Sequence, residues 1–326
     1  MKKQKLLPYI SLIITFMVGL STISAAQKKS KGKAGYTTVA FYNIENLFDT
    51  LDTPGKDDKE FLPSSDSKWN SKKYYEKLEH MSDVISQLGS DFSPSGPAVV
   101  GLCEVETKAV VEDLAKTGKL KKGKYQVVFH DGPDERGIDV ALMYQKDKFS
   151  VTASKSLTLN IPGDTGFHTR DQLVVTGKLL GEEMHFIVCH WPSRRGGQEA
   201  SNPHRIAAAK LARKIIDSLY TLNPKAKIVL MGDLNDDPVD ESVKTTLGTT
   251  KTSAEASKEK LYNAMEEIHA SGIGTLTYKG KWNLFDQMIV SPALINTENK
   301  KLQFAEAYVF NKDFIKEKDG KYKGEP

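Results

Sequence analysis

From Trp69 to Leu88, apolar side chains recur at Tyr74, Leu78, Met81, Ile85 and Leu88. Spacings of four, three, four and three mark one face of a helix, and Gly89 is a natural stop for it. A second helix is expected over Lys108 to Lys116. A third opens at Ser201-Asn202-Pro203, where proline suits a first turn, and it buries Ala208, Leu211, Ile215 and Leu219 while Lys210, Arg213 and Lys214 face solvent. Most other patterned stretches are short and apolar. Thr37–Tyr42, Ala98–Cys103, Tyr125–His130, Ile138–Tyr144, Val151–Leu159, Gln172–Leu179, His185–Trp191 and Ile228–Met231 read as strands, followed by Thr275–Tyr278, Phe285–Val290 and Leu302–Phe310. There is no internal repeat and no interdomain linker. Many strands interrupted by a few long helices suit two packed sheets with helices outside, within one domain.

The N-terminus has a different pattern. Lys2, Lys3 and Lys5 precede an apolar run from Leu6 to Leu20, which ends in small residues at Ser24-Ala25-Ala26. The run is short for a membrane-spanning helix and has the layout of a secretory leader. The expected organisation is therefore a leader over 1–26, a flexible basic segment over 27–35 and one domain over 36–326. The destination is the periplasm or the outside of the cell. No cysteine follows the apolar run closely, which argues against a lipid anchor.

Composition narrows the classes. The chain has 326 residues, 39% hydrophobic and 27% charged, with a mean hydropathy of −0.42. That excludes a polytopic membrane protein and global disorder. Taking the three lysines of the leader and the four of the next segment from 46 basic residues leaves 39 against 42 acidic ones, net −3. Recognition of nucleic acid through a broad basic surface is excluded, so any polyanion must be gripped locally. The two cysteines, Cys103 and Cys189, each lie late in an apolar run. They read as buried free thiols, with a disulfide open in an oxidising compartment.

Polar residues gather where strands end. Ile228–Met231 runs into Gly232-Asp233-Leu234-Asn235, placing a carboxylate and a carboxamide two residues apart on one side. Such oxygens suit a hard cation or an attacking water, although an Asx-rich turn has the same composition. Glu104 closes an apolar strand and needs a cation or a basic partner unless it reaches solvent. Asn43 ends the first strand. It can orient a phosphate or a metal-bound water, and Glu45 and Asn46 beside it can cap local structure. His190 precedes Trp191-Pro192-Ser193-Arg194-Arg195-Gly196-Gly197, where guanidinium forks match phosphate oxygens. Arg136 and Arg170 enter strands and are either phosphate contacts or ordinary ion-pair partners. Arg205, in the third helix, is expected to brace the loop before it.

Asn43, Glu104, His190 and the Gly232-Asp233-Leu234-Asn235 run, in that order, resemble the endonuclease/exonuclease/phosphatase superfamily, over most of the chain from Val39 to about Val290. The Arg136-Gly137-Ile138-Asp139 and His190–Gly197 segments are most similar to its secreted bacterial members. The resemblance implies a four-layer α/β/β/α sandwich of two mainly antiparallel sheets and metal-assisted cleavage of a phosphoester. It implies Glu104 as the main Mg²⁺ or Mn²⁺ ligand, helped by Asn43; Asp233 and Asn235 would position the nucleophile and the phosphoryl oxygens, and His190 would bind or protonate phosphate. Arg136, Arg170, Arg194 and Arg195 would contact phosphate. The substrate would be nucleic acid, a phospholipid head group or a phosphorylated small molecule, and the enzyme a monomer. A phosphodiesterase or endonuclease is the first reading. A phosphatase, a sphingomyelinase-like phospholipase and a non-catalytic phosphate-binding remnant are the alternatives.

One feature departs from the family pattern. Members end in a Ser-Asp-His-type motif on a last strand, whose histidine is the presumed base. The seven histidines here are His80, His130, His168, His185, His190, His204 and His269, and no such motif follows. Asp286 resembles the aspartate that orients the terminal histidine. The expectation is a C-terminally incomplete chain, with the last strand missing, an unfilled strand position in one sheet, and Asp286 without a histidine partner.

Overall fold

The computed structural model describes residues 11–18, 35–161, 163–295, 301–320 and 323–324. Two large sheets lie face to face. The first contains β1 (Ser11–Val18), β2 (Gly35–Leu47), β3 (Val99–Val105), β4 (Tyr125–Phe129), β5 (Asp139–Gln145) and β15 (Gln303–Phe310), in the order β15-β1-β2-β3-β5-β4. The second contains β6 (Phe149–Leu157), β7 (Gln172–Leu179), β8 (Glu182–His190), β9 (Ile228–Asp233), β10 (Thr249–Thr250), β11 (Leu261–Asn263) and β14 (Asp286–Val290), in the order β10-β11-β14-β9-β8-β7-β6. A separate hairpin joins β12 (Leu276–Tyr278) to β13 (Lys281–Asn283).

Three apolar layers hold this together. Helices α1 (Ser71–Ile85) and α2 (Lys108–Ala115) cover the outer face of the first sheet through Tyr74, Leu78, Ile85, Val110 and Leu114. Val39, Phe41, Leu142, Phe186, Met231 and Met288 fill the space between the sheets. Helix α3 (Gln198–Leu222) covers the second sheet with Ala208, Ala212, Ile215 and Ile216. The short α4 (Met265–Ala270) packs beside β14 and β15. This is the four-layer sandwich expected from the sequence. Helix α3 begins at Gln198, so Pro203 lies inside it rather than at its first turn. Cys103 faces the layer between the sheets and Cys189 faces α3; both are free thiols.

Most neighbours are antiparallel; besides the short β10/β11 pair, two pairs are parallel: β2 with β3, and β8 with β9. A parallel pair requires a crossover, supplied here by α1 and α3. Its consequence is functional. Parallel neighbours deliver their C-terminal ends to the same edge of the sheet, so the residues that terminate β2, β3, β8 and β9 are brought together.

Strand β1 lies between β2 and β15, antiparallel to both, with Leu12 opposite Phe41 and Val309. An apolar run rich in β-branched residues such as Ile13, Ile14 and Val18 has the pattern of an interior strand as well as that of a leader. Residues 1–10 and 19–26 of the expected leader, and 27–34 of the basic segment, lie outside the described residues. Among the described residues, no helix is long and apolar enough to cross a membrane.

Candidate active site

In the second sheet, His190, Asp233 and Asp286 form a row. Asp233 is opposite His190 in the parallel pair β8/β9 and opposite Asp286 in the antiparallel pair β9/β14. In the first sheet, Asn43 pairs with Cys103, one residue before Glu104, and β3 bulges between Cys103 and Val105. The bulge puts Glu104 at φ +60° and turns its carboxylate across to the other sheet. His190 Nε2 lies 3.8 Å from Glu104 Oε1 and 3.8 Å from Asp233 Oδ2. Three strands, each apolar and buried until its last residues, thus end on one cluster.

Asn43 performs a more specific task than ligation. Its Nδ2 donates to Asp233 Oδ2 at 3.1 Å, and its Oδ1 accepts from Glu45 N at 3.0 Å. Asp233 Oδ1 accepts from Asn235 N at 2.9 Å, and Asn235 Nδ2 donates to the Trp191 carbonyl, also at 2.9 Å. Both oxygens of Asp233 are therefore oriented. Burial pushes its proton affinity above that of an ordinary carboxylate, and Glu104 adds to the effect, while Asn235 N–H, Arg170 and Asn43 oppose it. Burial raises Asp286 strongly, with Asp233, Glu104 and Glu45 adding repulsion. Its Oδ2 is buried with no partner, and Thr275 Oγ1 accepts a hydrogen bond from its backbone N–H at 3.2 Å. Among the described residues, no histidine lies within ion-pair distance of Asp286. His168 is exposed, and His204 pairs with Asp164 at 3.3 Å.

His190 is 4% exposed. Burial, with Arg170 and Arg136 nearby, lowers its proton affinity well below the usual histidine value, so at neutral pH it is an uncharged imidazole. That favours hydrogen-bond donation over delivery of a proton.

The arginines divide into two groups. Arg170 is buried, with Nη1 on Asp134 Oδ2 at 3.2 Å and Nη2 on the Trp191 carbonyl at 2.6 Å; only its Nε is unpaired. It supplies charge from below the site. Arg194, expected on phosphate, departs from that expectation: it spends all three of its nitrogens on Asn235 O, Gln198, Asp236 and Asp240. Arg136 and Arg195 are exposed. Arg136 is a loose 3.9 Å from Asp134, and Arg195 makes no hydrogen bond or ion pair among the described residues. Arg205 is fully buried; it reaches the Pro192 and Ser193 carbonyls of the preceding loop at 3.5 Å each, and within the first turn of α3 it donates to Ser201 Oγ at 2.8 Å and the Gln198 carbonyl at 2.9 Å.

Two further groups reach the site. Glu45 and Asn46 adopt left-handed backbone angles at the end of β2, and burial and Glu104 raise Glu45 above the ordinary glutamate range against the pull of Lys77. Lys77, from α1, donates to the Glu45 carbonyl at 2.8 Å, and burial lowers its proton affinity. A lysine three residues after Tyr74, on the apolar side of α1, was the available sign of it. Among the described residues, no three acidic, histidine or cysteine side chains are arranged to enclose an ion. The donor chemistry nevertheless suits a hard cation: oxygens from Glu104, Asp233, Glu45 and Asp286, one of them orphaned and buried, with few positive charges to balance them.

The chain belongs to the endonuclease/exonuclease/phosphatase family, whose sequence profile matches residues 38–326. Its superfamily comprises phosphoester hydrolases, nucleases and phosphatases among them. No curated protein matches the chain by sequence. Similar solved structures include truncated Caenorhabditis elegans TDP2, 15% identical over 74% of this chain and 93% of that one, with a TM-score of 0.49. A mannosyl-6-phosphatase from Bacteroides thetaiotaomicron is 17% identical over 78% and 85%, at 0.47. The human Nocturnin catalytic domain is 16% identical over 72% and 87%, at 0.43.

Proposed function

We propose that the protein is an exported, Mg²⁺- or Mn²⁺-dependent phosphodiester hydrolase that works by in-line attack of water. The observation that carries this reading is the convergence of His190 on Glu104 and Asp233, 3.8 Å from each, from three separate strand ends. Export rests on the leader pattern of residues 1–26.

Glu104, with Glu45 and Asp286 beside it, would hold the cation. When bound, the cation neutralises phosphate charge and favours attack on phosphorus. Asp233 is held by Asn43 and the Asn235 N–H so that one carboxylate edge faces a water, and its raised proton affinity suits it to take that water's proton. Neutral His190 donates a hydrogen bond to a phosphoryl oxygen, whose charge grows in the transition state. Asn235 Oδ1, which has no partner among the described residues, accepts from the same water. Arg136 and Arg195 hold the outer phosphate oxygens at the rim.

A monoester phosphatase is the second reading, favoured by the net charge of −3 outside the N-terminal segments, which offers a long polyanion no broad basic track. Hydrolysis of bis(p-nitrophenyl) phosphate, p-nitrophenyl phosphate and DNA, each with Mg²⁺, with Mn²⁺ and with EDTA, separates the two. Metal-dependent release from the diester supports the first reading and from the monoester alone the second. No turnover of any of them defeats both and leaves a phosphate-binding role.

A further inference from the structure

The His190–Gly197 loop carries an arginine that the hydrolysis does not use directly. Arg194 Nε donates to the Asn235 carbonyl at 2.9 Å, and Nη2 reaches Asp236 Oδ1 at 3.0 Å and Asp240 Oδ2 at 2.6 Å. Its guanidinium lies 4.4 Å from the centroid of the Phe285 ring. Three chain segments therefore meet on one side chain. The first follows His190, the second follows Asp233 and contains Asn235, and the third immediately precedes Asp286. The second and third are also tied to each other, because Leu234 N donates to the Phe285 carbonyl at 2.8 Å and Leu284 N to Asp237 Oδ1 at 2.6 Å.

We infer that Arg194 is a positioning residue of the hydrolysis proposed above, on which this inference rests: it fixes Asn235, Asp233 and Asp286 relative to one another and touches no substrate. Asn235 has φ +51°, a left-handed conformation that asparagine tolerates better than most residues and that the contacts on both sides of it hold in place. Arg194 clamps its carbonyl while Asp233 clamps its N–H. The guanidinium suits this because it is flat enough to lie on Phe285 and forked enough to serve a carbonyl and two carboxylates together. An ammonium on a flexible stem can do only part of that.

The fold should survive loss of Arg194. Asp236, the most buried of its partners, keeps Arg205 Nε at 2.8 Å and Ser242 Oγ at 2.6 Å. Replacing Arg194 should therefore disturb geometry more than stability.

The test uses the full chain with Arg194→Lys and Arg194→Ala, bis(p-nitrophenyl) phosphate and Mn²⁺. It reads kcat per folded molecule, KM, and hydrogen exchange in peptides over 228–240 and 283–287. Both variants should lose at least ~10-fold in kcat, as small misplacements of reacting groups do. KM should stay within about twofold, the split expected when only transition-state contacts are lost. The Leu234 and Asn235 amides should exchange faster while those of 228–232 do not change, and added guanidinium ion should restore part of kcat to Arg194→Ala. A raised KM with unchanged kcat would make Arg194 a direct phosphate contact and overturn the inference, as would unchanged kcat per folded molecule. If the unsubstituted protein turns over no phosphoester, the hydrolase reading fails, and exchange alone decides: unaltered protection at 234–235 overturns the clamp.

Discussion

Asp233 and Asp286 stand directly opposite each other across β9 and β14, two buried carboxylates on neighbouring strands. Burial raises both, with Glu104 adding to the effect at Asp233 and Asp233 adding to it at Asp286. Such a pair keeps a proton that either carboxylate would release in water. A divalent cation needs ionised oxygens and must displace that proton.

Binding of Mn²⁺ should therefore release protons at pH 7, measurable by titration calorimetry in two buffers of different ionisation enthalpy. Asp286→Asn should release about one proton fewer, because the amide mimics the protonated carboxyl. Equal proton release from the two proteins would show that Asp286 is not a proton holder.

A further buried carboxylate, away from this pair, makes stability pH-dependent. Asp139 begins β5 with Oδ2 on Gly132 N at 3.0 Å and Oδ1 unpaired. Burial pushes it up to about 7; Gly132 N–H and Lys56 oppose this, while Asp131 and Asp134 add to it. A carboxyl raised in the folded state binds its proton more tightly there than in the unfolded chain. Its stabilisation is complete below the unfolded value, about 4, and is lost as pH rises through about 7. The metal-free protein should melt at a higher temperature at pH 5 than at pH 8. Asp139→Asn should narrow the gap, with an upper bound of about 4 kcal/mol set by 1.36 kcal/mol per tenfold change in proton affinity. The raised Asp233, Asp286 and Glu45 keep the remainder. A variant with the original pH slope would remove Asp139 from this account.

Two glycines under the site separate backbone from side-chain crowding. A Cβ on Gly232 would sit 2.2 Å from the Cys189 carbonyl oxygen, in the parallel pair that delivers His190 and Asp233. A Cβ on Gly101 would meet Met231 Sδ at 2.9 Å, a flexible group that can move. Gly232→Ala should cost about 3 kcal/mol or more and Gly101→Ala about 1 kcal/mol, the two ends of the overpacking range. Urea denaturation compares them directly, and the reverse order would contradict the packing described between β8 and β9.

Much of this was legible in the chain because buried strands are continuous apolar runs that stop abruptly at a polar residue. Ala98–Cys103 and Ile228–Met231 announce Glu104 and Asp233 in that way. The segment from Thr249 to Ala270 is less readable: β10 and β11 have two and three residues, too few for a period to show. Arg194 has the residue type of a phosphate contact, but its acidic partners at 236 and 240 lie over 40 residues away and only the fold brings them near. Asn43 occupies the position expected, yet its amide is turned to Asp233 and Glu45. Strand β1 shows that one apolar run can satisfy two patterns, leader and interior strand.

The claim that Glu104, His190 and Asp233 form one metal-dependent hydrolytic centre is tested most directly by steady-state hydrolysis of bis(p-nitrophenyl) phosphate across a Mn²⁺ titration, comparing the unsubstituted protein with Glu104→Gln and Asp233→Asn. The account predicts turnover abolished by EDTA, a Mn²⁺ requirement shifted to higher concentration in Glu104→Gln, and a kcat ~10²–10⁴-fold lower in Asp233→Asn at saturating metal, the loss typical of an acid–base group. Turnover that persists in EDTA, or a Glu104→Gln titration superimposable on that of the unsubstituted protein, would contradict it.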